Sequence, residues 1–227
     1  MFTIKYILLI IILYSNLFTQ NTTFFGADNF IEISEGLNGL NIDLDSGDRF
    51  SRDHDKAGDI NGDGIIDLVV GARSDDDGAT DAGAVYILFM NIDGSVQSTQ
   101  KISMLYGGFN ETLNEGNYFG YGVAGIGDYD NDDIPDIAVT ALTAPNRALY
   151  IIHLNSDGTV KNYVKNNDIN GQGLSAISDL NNDGKLDLVA CNPTSNDGGQ
   201  QRGAINILFF DSSSQIIPKN TITISST

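Results

Sequence analysis

An all-β fold is predicted for this 227-residue chain by three observations. Short β-branched apolar runs separated by Gly, Asn and Asp recur along it, and no segment after the N-terminal one sustains a 3.6-residue apolar period. A pattern of alternating acidic and amide residues followed by an apolar run appears three times, and a second strand-like stretch trails each copy. Repeats of about four antiparallel strands fit β-propeller blades better than a sandwich, and three of them leave the ring open or incomplete.

The first element is "MFTIKYILLIIILYSNLF", one Lys followed by an apolar run from Tyr6 to Phe18. It has the n-region and h-region of a secretory signal and is short for a membrane span of about 20 residues. Residues 1–20 are thus expected to be a signal peptide, and the remainder a secreted or cell-surface chain with no membrane span. Sequons at Asn21-Thr22-Thr23 and Asn110-Glu111-Thr112 fit a glycoprotein. Cys191 is the single cysteine, so disulfides within the chain do not hold this fold. Next comes an N-terminal segment, 21–48, whose "NFIEISEGLNGLNIDL" is expected to add one or two outer strands.

The three blades follow, at about 49–116, 117–168 and 169–227. "GDINGDGIIDLVVGA" (58–72), "GDYDNDDIPDIAVTA" (127–141) and "SDLNNDGKLDLVACN" (178–192) align, as do "GAVYILFMNIDGSV" (83–96), "RALYIIHLNSDGTV" (147–160) and "GAINILFFDSSSQI" (203–216). Within a blade the first strand is expected near Val123–Ile126 or Leu174–Ile177, the second after the acidic loop, the third near Val85–Phe89 and the last near Lys101–Met104. Asp59 and Asp128 are 69 residues apart, Asp128 and Asp179 only 51, and loop insertions between retained strands account for the difference.

The chemistry sits in the acidic loops. Oxygen ligands at positions 1, 3, 5, 7 and 9, the seventh through its backbone carbonyl, suit a hard cation such as Ca²⁺. The first loop offers Asp59, Asn61, Asp63, the Ile65 carbonyl and Asp67; the second Asp128, Asp130, Asp132, the Ile134 carbonyl and Asp136; the third Asp179, Asn181, Asp183, the Lys185 carbonyl and Asp187. About three Ca²⁺ sites are expected. Position 6 must turn sharply, which Gly64 and Gly184 permit and Asp133 does at some cost. Without a cation, two carboxylates about 4 Å apart repel by roughly 4 kcal/mol at an effective dielectric near 20. Ordinary turn formation needs one or two such residues, not an alternating set repeated three times. Position 12, where a helix-flanked calcium loop carries a bidentate Glu, is Val70, Val139 and Ala190, which excludes an EF-hand.

These loops, with "YFGYGVAGIGD" (118–128) and "GAVYILFMNIDGSVQSTQKIS" (83–103), resemble the FG-GAP repeat, the blade of integrin alpha-subunit propellers. The resemblance spans about residues 28–226. It implies a β-propeller with Ca²⁺ in the hairpin between the first two strands of each blade, and a role in adhesion or recognition of an extracellular protein or glycan. The first blade departs from the pattern: "SRDHDKA" (51–57) stands where the others have "GYGVAGI" and "GQGLSAI", so its inner strand is expected to be exposed or at an open edge, where self-association could occur.

Other classes are weighed against this. A net charge of −18 with 12 Lys and Arg argues against nucleic acid. "GYGVAG" (120–125) matches a dinucleotide fingerprint by letter, but an acidic loop rather than a helix follows. His54 has no evident nucleophile beside it, and His153 is expected to be a packed or edge-facing ring. Cys191 is expected to be a buried thiol, and Asp75–Asp77 a solvated loop. Two functions stay in play: a calcium-stabilised binding module without catalytic residues, and a secreted hydrolase or lyase with an active site on the propeller face.

Overall fold

The computed structural model describes residues 30–143, 147–169, 171–196, 199–210 and 216–223, the last stretch by its backbone alone. The signal segment and the Asn21 sequon lie outside the described residues. Asn110 of the second sequon is exposed. The chain divides after Glu32, and the described part of the first unit, 30–32, is exposed and without a strand.

The described residues of the second unit hold twelve strands and no α-helix. Blade 1 contains β1 (Phe50–Gly58), β2 (Asp67–Ala72), β3 (Ala84–Met90) and β4 (Val96–Ile102). Blade 2 contains β5 (Gly122–Gly127), β6 (Asp136–Ala141), β7 (Ala148–Leu154) and β8 (Val160–Asn166). Blade 3 contains β9 (Gly173–Ile177), β10 (Asp187–Asn192), β11 (Ala204–Phe210) and β12 (Ile216–Thr223). Each blade is an antiparallel sheet in sequence order. The fourth strand of blade 1 begins at Val96, earlier than the stretch near 101–104 expected for it. The reason is local: Asp93 Oδ1 accepts Ser95 N–H and Oγ–H at 3.0 and 2.6 Å, so the hairpin closes at Asn91–Ser95 and pairing resumes at once.

Blade 2 is buried on both faces, which explains the unbroken burial of β6 and β7. Ile137, Val139, Tyr150, Ile152 and Leu154 join Val69, Val85, Ile87 and Phe89 of blade 1 in one core. Ala138, Leu149 and Ile151 on the alternate positions join Leu188, Ala190, Leu208 and Phe210 of blade 3 in another. Between blades 1 and 2 an aromatic wedge fills the gap: Phe109 stacks on Phe119 at 4.5 Å and meets Tyr150 edge-on at 5.3 Å. Burying side chains of this size contributes about 1.5–3 kcal/mol each.

The inner strands β1 and β5 approach closely, as β2 does the turn before β5, and glycine makes this possible. A Cβ on Gly125 would lie 1.9 Å from the Lys56 carbonyl oxygen, and one on Gly71 would lie 2.1 Å from that of Gly120. The glycines of "GYGVAG" are therefore packing residues. On the other side of blade 1, Leu40 is fully buried, with Ile33, Ile42 and Leu44 packed beside it over Val70, Ala72, Tyr86 and Leu88. The strand segment expected over 21–48 thus needs correcting within its described part: 30–48 adds no strand and makes only an isolated Ser34–Leu37 bridge. Residues 33–48 cover the blade instead, with Val96 N–H donating to the Asn38 carbonyl at 2.8 Å.

In blade 3, Ile205 is 42% exposed and Cys191 is exposed. The expectation of a buried thiol fails because Cys191 occupies the place of Gly71, on the side of the blade turned away from blade 2.

Candidate metal centre

The three acidic loops join the first and second strands of each blade. One hydrogen-bond scheme builds all of them. The first-position carboxylate accepts backbone N–H groups from positions 5 and 6: Asp63 and Gly64 onto Asp59 at 3.0 and 2.9 Å, Asp132 and Asp133 onto Asp128 at 3.1 and 2.9 Å, Asp183 and Gly184 onto Asp179 at 3.2 and 2.8 Å. The fifth-position carboxylate accepts the seventh N–H, from Ile65, Ile134 or Lys185, at 2.8–2.9 Å. This turns the seventh residue into place without using its carbonyl. Position 6 is left-handed in every loop, with φ of 88° at Gly64, 68° at Asp133 and 91° at Gly184. Asp133 therefore bears the strain that glycine avoids.

The ninth-position carboxylates lie deeper. Asp67, Asp136 and Asp187 are at most 1% exposed, beneath their loops. Each accepts the N–H of position 2, from Ile60, Tyr129 or Leu180, at 2.7–3.0 Å. Asp67 and Asp136 also accept the N–H that ends the third strand, from Met90 and Leu154, at 3.0 Å. They fasten each loop to its sheet. Burial raises the Asp67 carboxyl above its ordinary range, against the two hydrogen bonds that lower it.

Closer to the surface, the donors cluster. Asp128, Asp130 and Asp132 offer carboxylate oxygens within 4.8 Å of one another, a span one cation can bridge. Asp130 Oδ1 is buried without a hydrogen-bond partner, and the donors at the odd positions are all oxygens, so the residues fit a hard divalent ion. In the first and third loops the third-position amide donates to the fifth carboxylate, Asn61 to Asp63 at 2.9 Å and Asn181 to Asp183 at 2.7 Å. The Asp179 carboxyl is held below its usual range chiefly by the Gly184 N–H.

Two residues at the second loop were missed by sequence reasoning. His153, expected as a packed or edge-facing ring, is buried, and its Nδ1 lies 2.9 Å from Asp136 Oδ2 and 4.0 Å from Asp130 Oδ2. Phe89 and Phe209 stand at this place in the other blades, so a polar residue in a strand-core position was the available signal. Lys161 Nζ lies 2.7 Å from both Asp130 Oδ2 and Asp132 Oδ2. That contact holds the Asp132 carboxyl below the usual range.

The loops converge. The eighth-position residues Ile66, Pro135 and Leu186 line a cavity of about 190 Å³, with Gly58 and Gly127 opposite. Tyr129 of the second loop donates its hydroxyl to the Leu186 carbonyl of the third at 2.8 Å.

Asp75–Asp77 are only in part the solvated loop expected, for Asp76 is exposed while its neighbours are held by a lysine. Asp75 is 3% exposed, and Lys101 Nζ reaches Asp75 Oδ2 at 2.8 Å and Asp77 Oδ2 at 2.6 Å. Burial lowers the Lys101 ammonium, but its hydrogen bonds to these carboxylates outweigh that and raise it overall. His54 is exposed on β1.

Comparison with known proteins agrees with this architecture. Residues 57–88, the first loop with β2 and most of β3, match the FG-GAP repeat family model. The chain is 34% identical to integrin alpha pat-2 of Caenorhabditis briggsae over 126 residues, covering 54% of this chain and 10% of that protein. It is 33% identical to integrin alpha-PS5 of Drosophila melanogaster over 146 residues, 59% of this chain and 14% of that one. It is 29% identical to phosphatidylinositol-glycan-specific phospholipase D of Bos taurus over 168 residues, 68% of this chain and 20% of that one. The matched region is thus a fifth or less of each of these relatives. The loop and strands of the matched repeat at 57–88 recur twice more along the chain, which is thus similar to FG-GAP repeat proteins.

Proposed function

We propose that the chain is a secreted or cell-surface recognition module of the adhesion type, stabilised by Ca²⁺ in its three acidic loops. The observation that carries the metal part is the threefold repetition of one loop geometry, together with the second loop's Asp128, Asp130 and Asp132, whose carboxylate oxygens lie within reach of one cation and include Asp130 Oδ1 without a partner. Ca²⁺ would be held by Asp59, Asn61, Asp63, the Ile65 carbonyl and Asp67, and by the equivalent sets from Asp128 to Asp136 and from Asp179 to Asp187. It would offset their mutual repulsion and stiffen each hairpin, a role that disulfides fill in other extracellular domains. The recognition part is supported by the similarity to integrin alpha chains, and an extracellular protein or glycan is the class of ligand proposed.

Thermal melts in Ca²⁺ and in EDTA test the metal part. An ion at 100 times its dissociation constant stabilises the fold by about 2.7 kcal/mol, so the melting temperature should fall clearly on chelation. A melting temperature indifferent to EDTA, with no calcium in elemental analysis, would refute it. Adhesion is tested by attachment of cells to surfaces coated with the chain, expected in Ca²⁺ and lost in EDTA; attachment no better than to albumin counts against it.

A hydrolase is the second reading, favoured by one observation, the match to phosphatidylinositol-glycan-specific phospholipase D. Cleavage of a phosphatidylinositol-glycan by the purified chain would support it. Binding without turnover would favour the recognition module.

A further inference from the structure

The repeats within the chain supply their own comparison. In all three loops Oδ2 of the fifth-position carboxylate has a donor, but the donor differs. Asn61 Nδ2 serves Asp63 at 2.9 Å and Asn181 Nδ2 serves Asp183 at 2.7 Å. The second loop has Asp130 at position 3, which in its ionised form has no proton to donate. Its place is taken from outside the loop by Lys161 of β8, whose Nζ bonds both Asp132 Oδ2 and Asp130 Oδ2 at 2.7 Å. The registers Met90–Val96, Leu154–Val160 and Phe210–Ile216 put Gln97 and Ile217 at the position of Lys161 in the other blades. The extra carboxylate and the extra ammonium therefore occur in the same blade.

We propose that Lys161 is a built-in competitor for the cation of the second loop: its ammonium draws Asp130 and Asp132 together without an ion and must swing out for a divalent ion to enter. This rests on the calcium reading and refines it. The second loop keeps its shape at low calcium and takes its ion after the first and third loops. Its lysine is suited to the task, being a point charge on a flexible stem with a side chain 38% exposed, free to move into solvent. The ammonium does not satisfy the whole site, because Asp130 Oδ1 stays buried without a partner. That oxygen is left for the ion.

Calcium titration of the full chain by calorimetry, comparing the unaltered protein with Lys161→Gln and Lys161→Arg, tests this. The unaltered chain should bind two ions and then a third more weakly. Lys161→Gln, which copies the residue type of Gln97, should tighten the third site by about fivefold, the range of a surface ion pair, while Lys161→Arg should leave it weak. In EDTA, Lys161→Gln should melt below the unaltered chain, and in saturating calcium the gap should close. Three sites of equal affinity in the unaltered chain, or a Lys161→Gln titration that superimposes on it, would overturn the competitor role while leaving the calcium reading intact. Absence of calcium binding in every protein would overturn both.

Discussion

The Val123 N–H donates to the Asp53 carboxylate at 3.0 Å, and two residues on the Gly125 N–H donates to Asp55 at 3.2 Å. The polar inner strand of blade 1, which departs from the repeat pattern, thus caps edge groups of β5 that would otherwise be left unpaired between blades. Where the other blades have Gly122 and Ala124, or Gly173 and Ser175, blade 1 has two carboxylates. The expectation of an exposed strand holds for its alternate residues Arg52, His54 and Lys56, while Asp53 and Asp55 face a neighbour.

Removing that cap orphans a backbone donor. Asp53→Ala should therefore lower stability by about 1–3 kcal/mol, and Asp53→Asn by less because an acceptor remains. Urea denaturation measures both, and equal effects from the two substitutions would show that the hydrogen bond is not the cause.

Two glycines of equivalent strands predict opposite outcomes. Gly125→Ala drives a Cβ to 1.9 Å from the Lys56 carbonyl oxygen, whereas Gly173→Ala meets nothing within 4 Å. The first should cost about 3 kcal/mol or prevent folding, and the second should stay within about 0.5 kcal/mol of the unaltered chain. Denaturation midpoints decide, and an equally tolerated Gly125→Ala would mean that β1 and β5 do not pack as described.

Asp48 carries a pH dependence of defined sign. It is 5% exposed, and its carboxyl is raised from its usual range first by burial and further by the nearby Asp75 charge, despite the Asp45 N–H it accepts at 2.8 Å. A carboxyl whose folded value exceeds its unfolded value binds more protons in the folded state, so its ionisation costs stability above the folded value and nothing below the unfolded one. Asp48→Asn should therefore stabilise the chain at pH 7 and have little effect at pH 3. Melting temperatures across that range test it, and a larger gain in acid would reverse the assignment.

Cys191 is exposed, so the native chain should be labelled by a thiol reagent at a rate close to that of the urea-unfolded chain. Protection by more than about tenfold in the native state would place the thiol inside.

Alternation of oxygen donors over nine residues, a left-handed sixth position and the apolar run that follows are short-range features, so the three hairpins and their blade-forming strands could be located from the order of residues alone. Backbone hydrogen bonds between neighbours in the chain build them. The fourth strand of blade 1 was harder to place because "VQSTQKI" is buried only at its two ends, which leaves little periodicity to detect. His153 and Lys161 reach the second loop from strands 17 to 31 residues away in sequence, through a register that pairing of β7 with β6 and β8 decides. Asp53 capping β5 spans 70 residues. The amino-acid sequence by itself determined the repeat, the acidic hairpins and the all-β character, because each depends on local geometry and side-chain period. Only the tertiary structure decided which carboxylates gain a cation from within the chain, which glycines are indispensable and which faces are covered, because those depend on how one blade meets the next.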